Sequence, residues 1–202
     1  MKIDMKKSLM IGGLVTVGLV AANAAFAADS AIWTTLSVSG NISESTTITV
    51  EEELRFADAT DPSLARQHTD LNLGVDFDVL TTQVGYRNTS TGEHRPYVGV
   101  GFSLLTGDLS VNSVTRLELR DWDTLRGRTD LTASASVAGV TPWLTDEVFV
   151  DESGVTGNRL SVGVTKGIDD TFSVMAYYLL NTALEGATTH THVLGLGLGV
   201  GI

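Results

Sequence analysis

The sequence predicts an all-β chain, an antiparallel up-and-down transmembrane β-barrel of 10–12 strands preceded by a cleaved signal peptide. Three observations carry this. The N-terminus has the layout of an export signal, the rest alternates in side-chain character with a period of two, and the alternating runs are long enough to cross a bilayer when tilted.

The chain opens with Lys2, Lys6 and Lys7, continues in an apolar run from Leu9 to Val20 and reaches the small-residue triplet Ala25-Phe26-Ala27. That is a positive n-region, an h-region and an A-x-A cleavage site, so residues 1–27 read as a signal peptide and residues 28–202 as one outer-membrane barrel domain. The apolar run is shorter than the roughly 20 residues of a membrane-spanning helix, and Gly12, Gly13 and Gly18 interrupt it. Cleavage would remove three lysines and one aspartate, leaving ten basic and 23 acidic residues, a net charge of −13. This balance argues against nucleic acid as a partner. Cysteine is absent, which excludes a disulfide scaffold and a thiolate metal or redox site.

Strands are expected near 31–42, 46–57, 66–79, 80–87, 94–104, 109–120, 126–138, 142–150, 158–167, 171–180 and 190–202. The pattern is cleanest in the third, where Thr69, Leu71, Leu73, Val75, Phe77 and Val79 share one face and His68, Asp70, Asn72, Gly74, Asp76 and Asp78 share the other. Most of these runs exceed the five to six residues typical of soluble strands and match the roughly 9–11 of a transmembrane one. Eleven runs conflict with the even number expected of bacterial barrels, so either one is misassigned or 31–42 pairs unconventionally. The connections 78–81, 105–108, 138–142 and 168–171 are short, whereas 58–65, 88–93, 121–125, 151–157 and 181–190 are mostly longer and more polar. The longer set is expected at the extracellular mouth.

Eight of the nine arginines border those longer loops, at Arg55, Arg66, Arg87, Arg95, Arg120, Arg126, Arg128 and Arg159. Alternation turns Arg55, Arg66, Arg87, Arg95, Arg116, Arg120, Arg128 and Arg159 away from the apolar face, together with Glu51, Glu53, Asp70, Glu118, Asp130 and Glu147. The expected result is a lumen filled by Arg/acid pairs, in which Arg116, Glu118 and Arg120 interlock with Glu53 and Glu147. The alternative is an arginine constriction for a small anion. Glu52 and Asp146 fall on the apolar face and oppose the register locally. Gly195, Gly197, Gly199 and Gly201 face inward, leaving room for water or for arginines from the opposite wall. Trp33, Tyr86, Trp143 and Tyr178 lie near strand ends, where an interfacial girdle belongs.

No serine stands in a G-x-S-x-G elbow, and His68 with Asp70 is the one pairing on a strand that could orient a proton. The chain therefore reads as no enzyme, with no cofactor and no metal; the loop acids Asp121, Asp123, Asp151 and Glu152 match no calcium loop. The expected partners are the lipid bilayer, lipopolysaccharide and, during biogenesis, the barrel-assembly machinery. Two rivals stand beside this reading: a soluble periplasmic barrel with its apolar faces turned inward around an apolar ligand, and an outer-membrane lipid hydrolase.

Several short pieces taken together resemble the family known as domain of unknown function 2490. They are Trp33, Glu51-Glu52-Glu53-Leu54-Arg55-Phe56, Gly85-Tyr86-Arg87, His94-Arg95-Pro96-Tyr97, Thr115-Arg116-Leu117-Glu118-Leu119-Arg120, Arg126-Gly127-Arg128, Glu147-Val148-Phe149-Val150-Asp151 and Asn158-Arg159. The resemblance implies an outer-membrane barrel and assigns no activity. Such barrels usually end in an aromatic residue, and Ile202 stands there instead.

Overall fold

The computed structural model describes residues 30–57, 63–184, 186 and 188–202. The expected signal peptide lies outside the described residues. Eleven strands form one closed barrel: β1 (Ser30–Ser43), β2 (Thr46–Phe56), β3 (Leu64–Phe77), β4 (Leu80–Thr89), β5 (His94–Leu105), β6 (Leu109–Arg120), β7 (Thr124–Ala135), β8 (Val140–Asp151), β9 (Gly154–Gly167), β10 (Phe172–Ala183) and β11 (Thr189–Gly201). Sequence neighbours pair antiparallel throughout, and the wall closes by a parallel ladder between β1 and β11 that runs from Ser30↔His192 to Ser39↔Gly201. An odd number of up-and-down strands leaves the first and last running the same way, so closure has to be parallel. The first strand is thus the element that pairs unconventionally.

The two faces separate as the alternation requires. Outward-facing Val84, Val98, Leu117, Leu131 and Leu144 are exposed, while Asp70, Glu118 and Glu147 on the inner face are buried. This apolar-out, polar-in arrangement is the reverse of a soluble barrel wrapped around an apolar ligand. The acids Glu52 and Asp146 do face outward, and each has a polar neighbour there: Thr69 Oγ1 donates to Glu52 at 2.7 Å, and Asn158 Nδ2 donates to Asp146. The register therefore stands: each carboxylate has a hydrogen bond across the strand pair, while the second Glu52 oxygen is buried without a partner.

The loop contrast is weaker than expected. The segment expected to loop from 151 to 157 is the two-residue hairpin Glu152-Ser153, because Asp151↔Gly154 and Val150↔Val155 continue the ladder. Gly154 (φ 110°) supplies the backbone angle that lets so tight a turn close. On the opposite side β3 stops at Phe77 rather than Val79, since Asp78 (φ 67°) turns the chain. Strand β7 stops at Ala135 rather than 138, where Ala138 (φ 50°) and Gly139 (φ 76°) make the next turn. Residues 57–63 and 184–188 are the longest connections, and they mark what we call the loop-side mouth; the other end is the turn-side mouth.

Apolar packing inside the barrel concentrates against the parallel seam. Ala31, Trp33, Tyr177, Leu179 and Val193 are buried together, flanked by Trp143 and Met175. Trp33 and Trp143 are therefore lumenal, not members of an outer girdle, as their alternation with inward Glu53-paired Thr35 and inward Glu147 dictates. Tyr86 and Tyr178 do face outward, each hydrogen-bonded to an imidazole: Tyr178 Oη lies 2.5 Å from His192 Nδ1, and Tyr86 contacts His94 in the same way. The inward glycines of β11 receive side chains from β10. A Cβ on Gly195 would lie 1.9 Å from Tyr177 Cζ, Met175 lies over Gly197, and Ser173 lies over Gly199. Arginines from the opposite wall do not occupy this space, because the neighbouring strand already fills it.

Candidate functional site, an ion-pair band across the lumen

Side chains that alternate inward from nine neighbouring strands meet in the loop-side half of the lumen, and nearly every guanidinium there finds a carboxylate. Arg55 pairs with Glu53 at 2.6 Å, and Arg87 donates to Asp70 at 2.7 Å. Arg128 lies 3.2 Å from Asp130 and also contacts Glu147, whose other oxygen accepts from Arg159 at 3.1 Å. Arg159 completes its fork with Asn181 Oδ1 at 2.9 Å. Charge-assisted forks of this kind hold both partners in a fixed plane.

Two members of the band are ones that the alternation did not place on the inner face. Glu93 precedes β5, outside any alternating run, yet it is buried and receives Arg95 at 2.5 Å and Arg120 at 2.6 Å. Burial by itself would raise its carboxyl, but the hydrogen bonds from Arg95 and Arg120 outweigh it and hold the group at about 2. Arg126 is the second. It pairs with Glu118, and its distance of two residues from inward Arg128 was the available signal.

Aromatic rings separate the cations where acids do not. Arg55 lies 3.7 Å above the Trp33 ring and Arg159 lies 5.3 Å from it, while Arg126 and Arg159 lie 4.9 and 4.7 Å from Phe149. Stacking of guanidiniums on ring faces lets like charges crowd together at reduced cost.

The structure brings Glu53, Arg55, Asp70, Arg87, Arg95, Glu118, Arg120, Arg128, Asp130, Glu147 and Arg159 into this band. It departs from the expected pairing at Arg116. Glu118 is occupied by Arg126, Glu53 by Arg55, and Glu147 by Arg128 and Arg159. Among the described residues Arg116 has no carboxylate within ion-pair distance and lies instead 5.1 Å from the Tyr97 ring. Arg66 faces inward beside Arg55 in the register, at the loop-side rim. The proton-orienting pair of His68 and Asp70 does not form. His68 Nδ1 is 3.4 Å from Glu53, while Asp70 is taken by Arg87 and by the Tyr97 hydroxyl at 2.6 Å.

The loop acids act as turn formers. Asp121 Oδ1 accepts from the His94 amide at 3.1 Å, and Asp151 Oδ1 accepts from the Ser153 amide and hydroxyl at 2.8 and 2.6 Å. No cluster of three metal-ligating side chains occurs among the described residues.

Towards the turn-side mouth the inner face changes character to Thr35, Thr47, Gly74, Thr81, Thr132 and Ser134, with hydroxyl pairs such as Thr132–Thr145 at 2.8 Å. The lumen thus has a charged, packed half and a largely uncharged half in which short side chains predominate, with Asp76, Trp143 and Met175 as the exceptions.

One of two similar solved structures shares this architecture. A NanC porin in a rhombohedral crystal form superposes with a TM-score of 0.55 at 13% identity, covering 76% of this chain and 83% of that one. An anion-selective porin from Comamonas acidovorans superposes with a TM-score of 0.41 at 12% identity, covering 76% and 57%. The first shows a shared barrel fold. No curated protein matches the sequence. The family model described as Protein of unknown function (DUF2490) matches residues 30–191, nearly the whole barrel wall, and the chain belongs to that family.

Proposed function

We propose that the protein resides in the outer membrane as a barrel plugged by its own side chains, structural in character and not an open general pore. The observation that carries this is the ion-pair band: Asp70, Arg95, Glu118, Glu147 and His68 are each buried although they line what would be a channel. Groups lining an aqueous passage stay wet, whereas these are packed against one another. The exposed apolar belt supports insertion in lipid, and the partners under this reading are bilayer lipids and lipopolysaccharide, with the assembly machinery acting in biogenesis. The role is non-enzymatic, resting on the absence of a nucleophile paired with a base in the sequence motifs.

Planar-bilayer recording tests the plug. The native barrel is expected to give no sustained open-channel current, and a variant with Arg128, Glu147 and Arg159 all changed to Ala is expected to conduct. A native barrel conducting as well as that variant overturns the reading. Retention in the membrane after a carbonate wash checks the location, and release into the soluble fraction would refute it.

A constriction selective for anions is the second reading. It is favoured by the excess of nine arginines over the eight inward carboxylates of Glu51, Glu53, Asp70, Asp76, Glu93, Glu118, Asp130 and Glu147. A conducting native barrel whose reversal potential favours anions would select it.

A further inference from the structure

Immediately on the turn side of the band lies a cavity of about 270 Å³, lined among others by Glu51, Asp70, Arg87, Tyr97, Arg116 and Arg128. Most of its charges are already accounted for. Asp70 takes Arg87 and the Tyr97 hydroxyl, and Arg128 is held by Asp130 and Glu147. Two groups are left over. The Arg116 Nε is shielded from solvent without an acceptor, and Glu51 makes no hydrogen bond or ion pair among the described residues.

From this pair of unmatched, opposite charges in one chamber we infer that the cavity binds a small zwitterion, its carboxylate on the Arg116 guanidinium and its ammonium on Glu51. A simple anion would meet Glu51 and Asp70, and a simple cation would meet three guanidiniums; a molecule carrying both signs satisfies both leftovers. The wall facing Arg116 is fixed in advance, since Asn72 Nδ2 donates to Gln83 at 2.9 Å and to Tyr97 Oη at 3.0 Å, and the Arg116 guanidinium lies 5.1 Å from the Tyr97 ring. At about 30 Å³ per water, the chamber has room for a compact amino acid. Short residues, Thr47, Gly74 and Thr81, line the wall on the turn side of the chamber, and the proposed approach is from that mouth. A free solute is the source, because the lining faces the lumen and a lipid headgroup lies beyond the wall. The inference is independent of whether the band conducts.

The test uses the folded barrel in detergent, titrated with glycine, β-alanine, γ-aminobutyrate, acetate and methylammonium at constant ionic strength. At least one of the three zwitterions is expected to bind about tenfold or more tightly than acetate and methylammonium. Arg116→Gln is expected to lower that affinity by about tenfold, and Glu51→Gln to bring it down to the level of acetate. Heat-modified gel mobility establishes that each variant is folded. Should either variant misfold, phenylglyoxal modification of the native protein decides: Arg116, followed by mass spectrometry, is expected to be protected by the zwitterion and not by acetate. Acetate binding as tightly as every zwitterion, or an Arg116 that no zwitterion protects, overturns the proposal.

Discussion

Along β7 and β8 the loop-side half is held by Glu147 bridging Arg128 and, from β9, Arg159, while a few residues away Thr132 and Thr145 meet only through their hydroxyls. The same strands supply both regions, and the same alternation points both inward. They differ in what each side chain leaves behind when its partner is removed. In the charged half an unpaired buried ion remains, whereas in the uncharged half a hydroxyl can be reached by water. Removing a partner is therefore expected to cost far more on the loop side than on the turn side.

The largest effect is expected at Glu147, because two guanidiniums depend on it. Glu147→Ala should destabilise the folded barrel by about 3–5 kcal/mol in denaturant titration, against about 0.5–1.5 kcal/mol for Thr132→Ala. Equal costs would erase the distinction between the halves. Next comes the outer wall, which serves both halves alike. Val84→Arg, in the middle of β4 and facing outward between Leu73 and Val98, should cost about 2–4 kcal/mol in a bilayer. A much smaller penalty would mean that this face does not meet hydrocarbon.

A double-mutant cycle sharpens the pairing within the band. Arg126→Ala and Glu118→Ala should couple by about 1–3 kcal/mol, whereas Arg116→Ala and Glu118→Ala should be nearly additive. Coupling in the second cycle would mean that Arg116 shares Glu118 with Arg126. The smallest effect concerns Glu93 at the rim. Its carboxyl is held at about 2, below the ordinary 4.5, so its contribution is complete above pH 4.5 and is lost as pH falls towards 2. Melting temperature followed over that window should fall less steeply in Glu93→Gln than in the native barrel; identical slopes would show that the Glu93 clamp carries no proton linkage.

The sequence made the strands legible because a half-buried strand must alternate, and the alternation survives the change from charged to uncharged lining. Inwardness was equally legible: Arg55, Arg116 and Glu147 could be placed by parity alone. Partnership was not, since which inward acid meets which arginine depends on the stagger between strands, a quantity that no single strand contains. Hence Arg116, Glu118 and Arg120 seemed matched to Glu53 and Glu147, when the register sets Glu118 opposite Arg126 and leaves Glu53 to Arg55 and Glu147 to Arg128 and Arg159. Glu93 was out of reach for another reason, because a loop residue has no parity to read. Trp33 and Trp143 were misplaced by position along the strand, although their parity already pointed inward.

The parallel seam has a consequence for how this wall can be made. Ten strand pairs inherit a starting register from the turn that joins them, but β1 and β11 have none, and Ser30 lies at the loop-side mouth while Gly201 lies at the turn-side mouth. A linker joining these two positions would have to run the full height of the wall, about 3.3 Å for every residue of strand it passes. A circular permutant of this barrel therefore cannot be joined by a hairpin, and the last closure must find its alignment from side chains alone. Trp33, facing Gly195 across the seam beside the Tyr177 ring, is the bulky marker available for that alignment, and a slip by one residue would turn it out of the lumen.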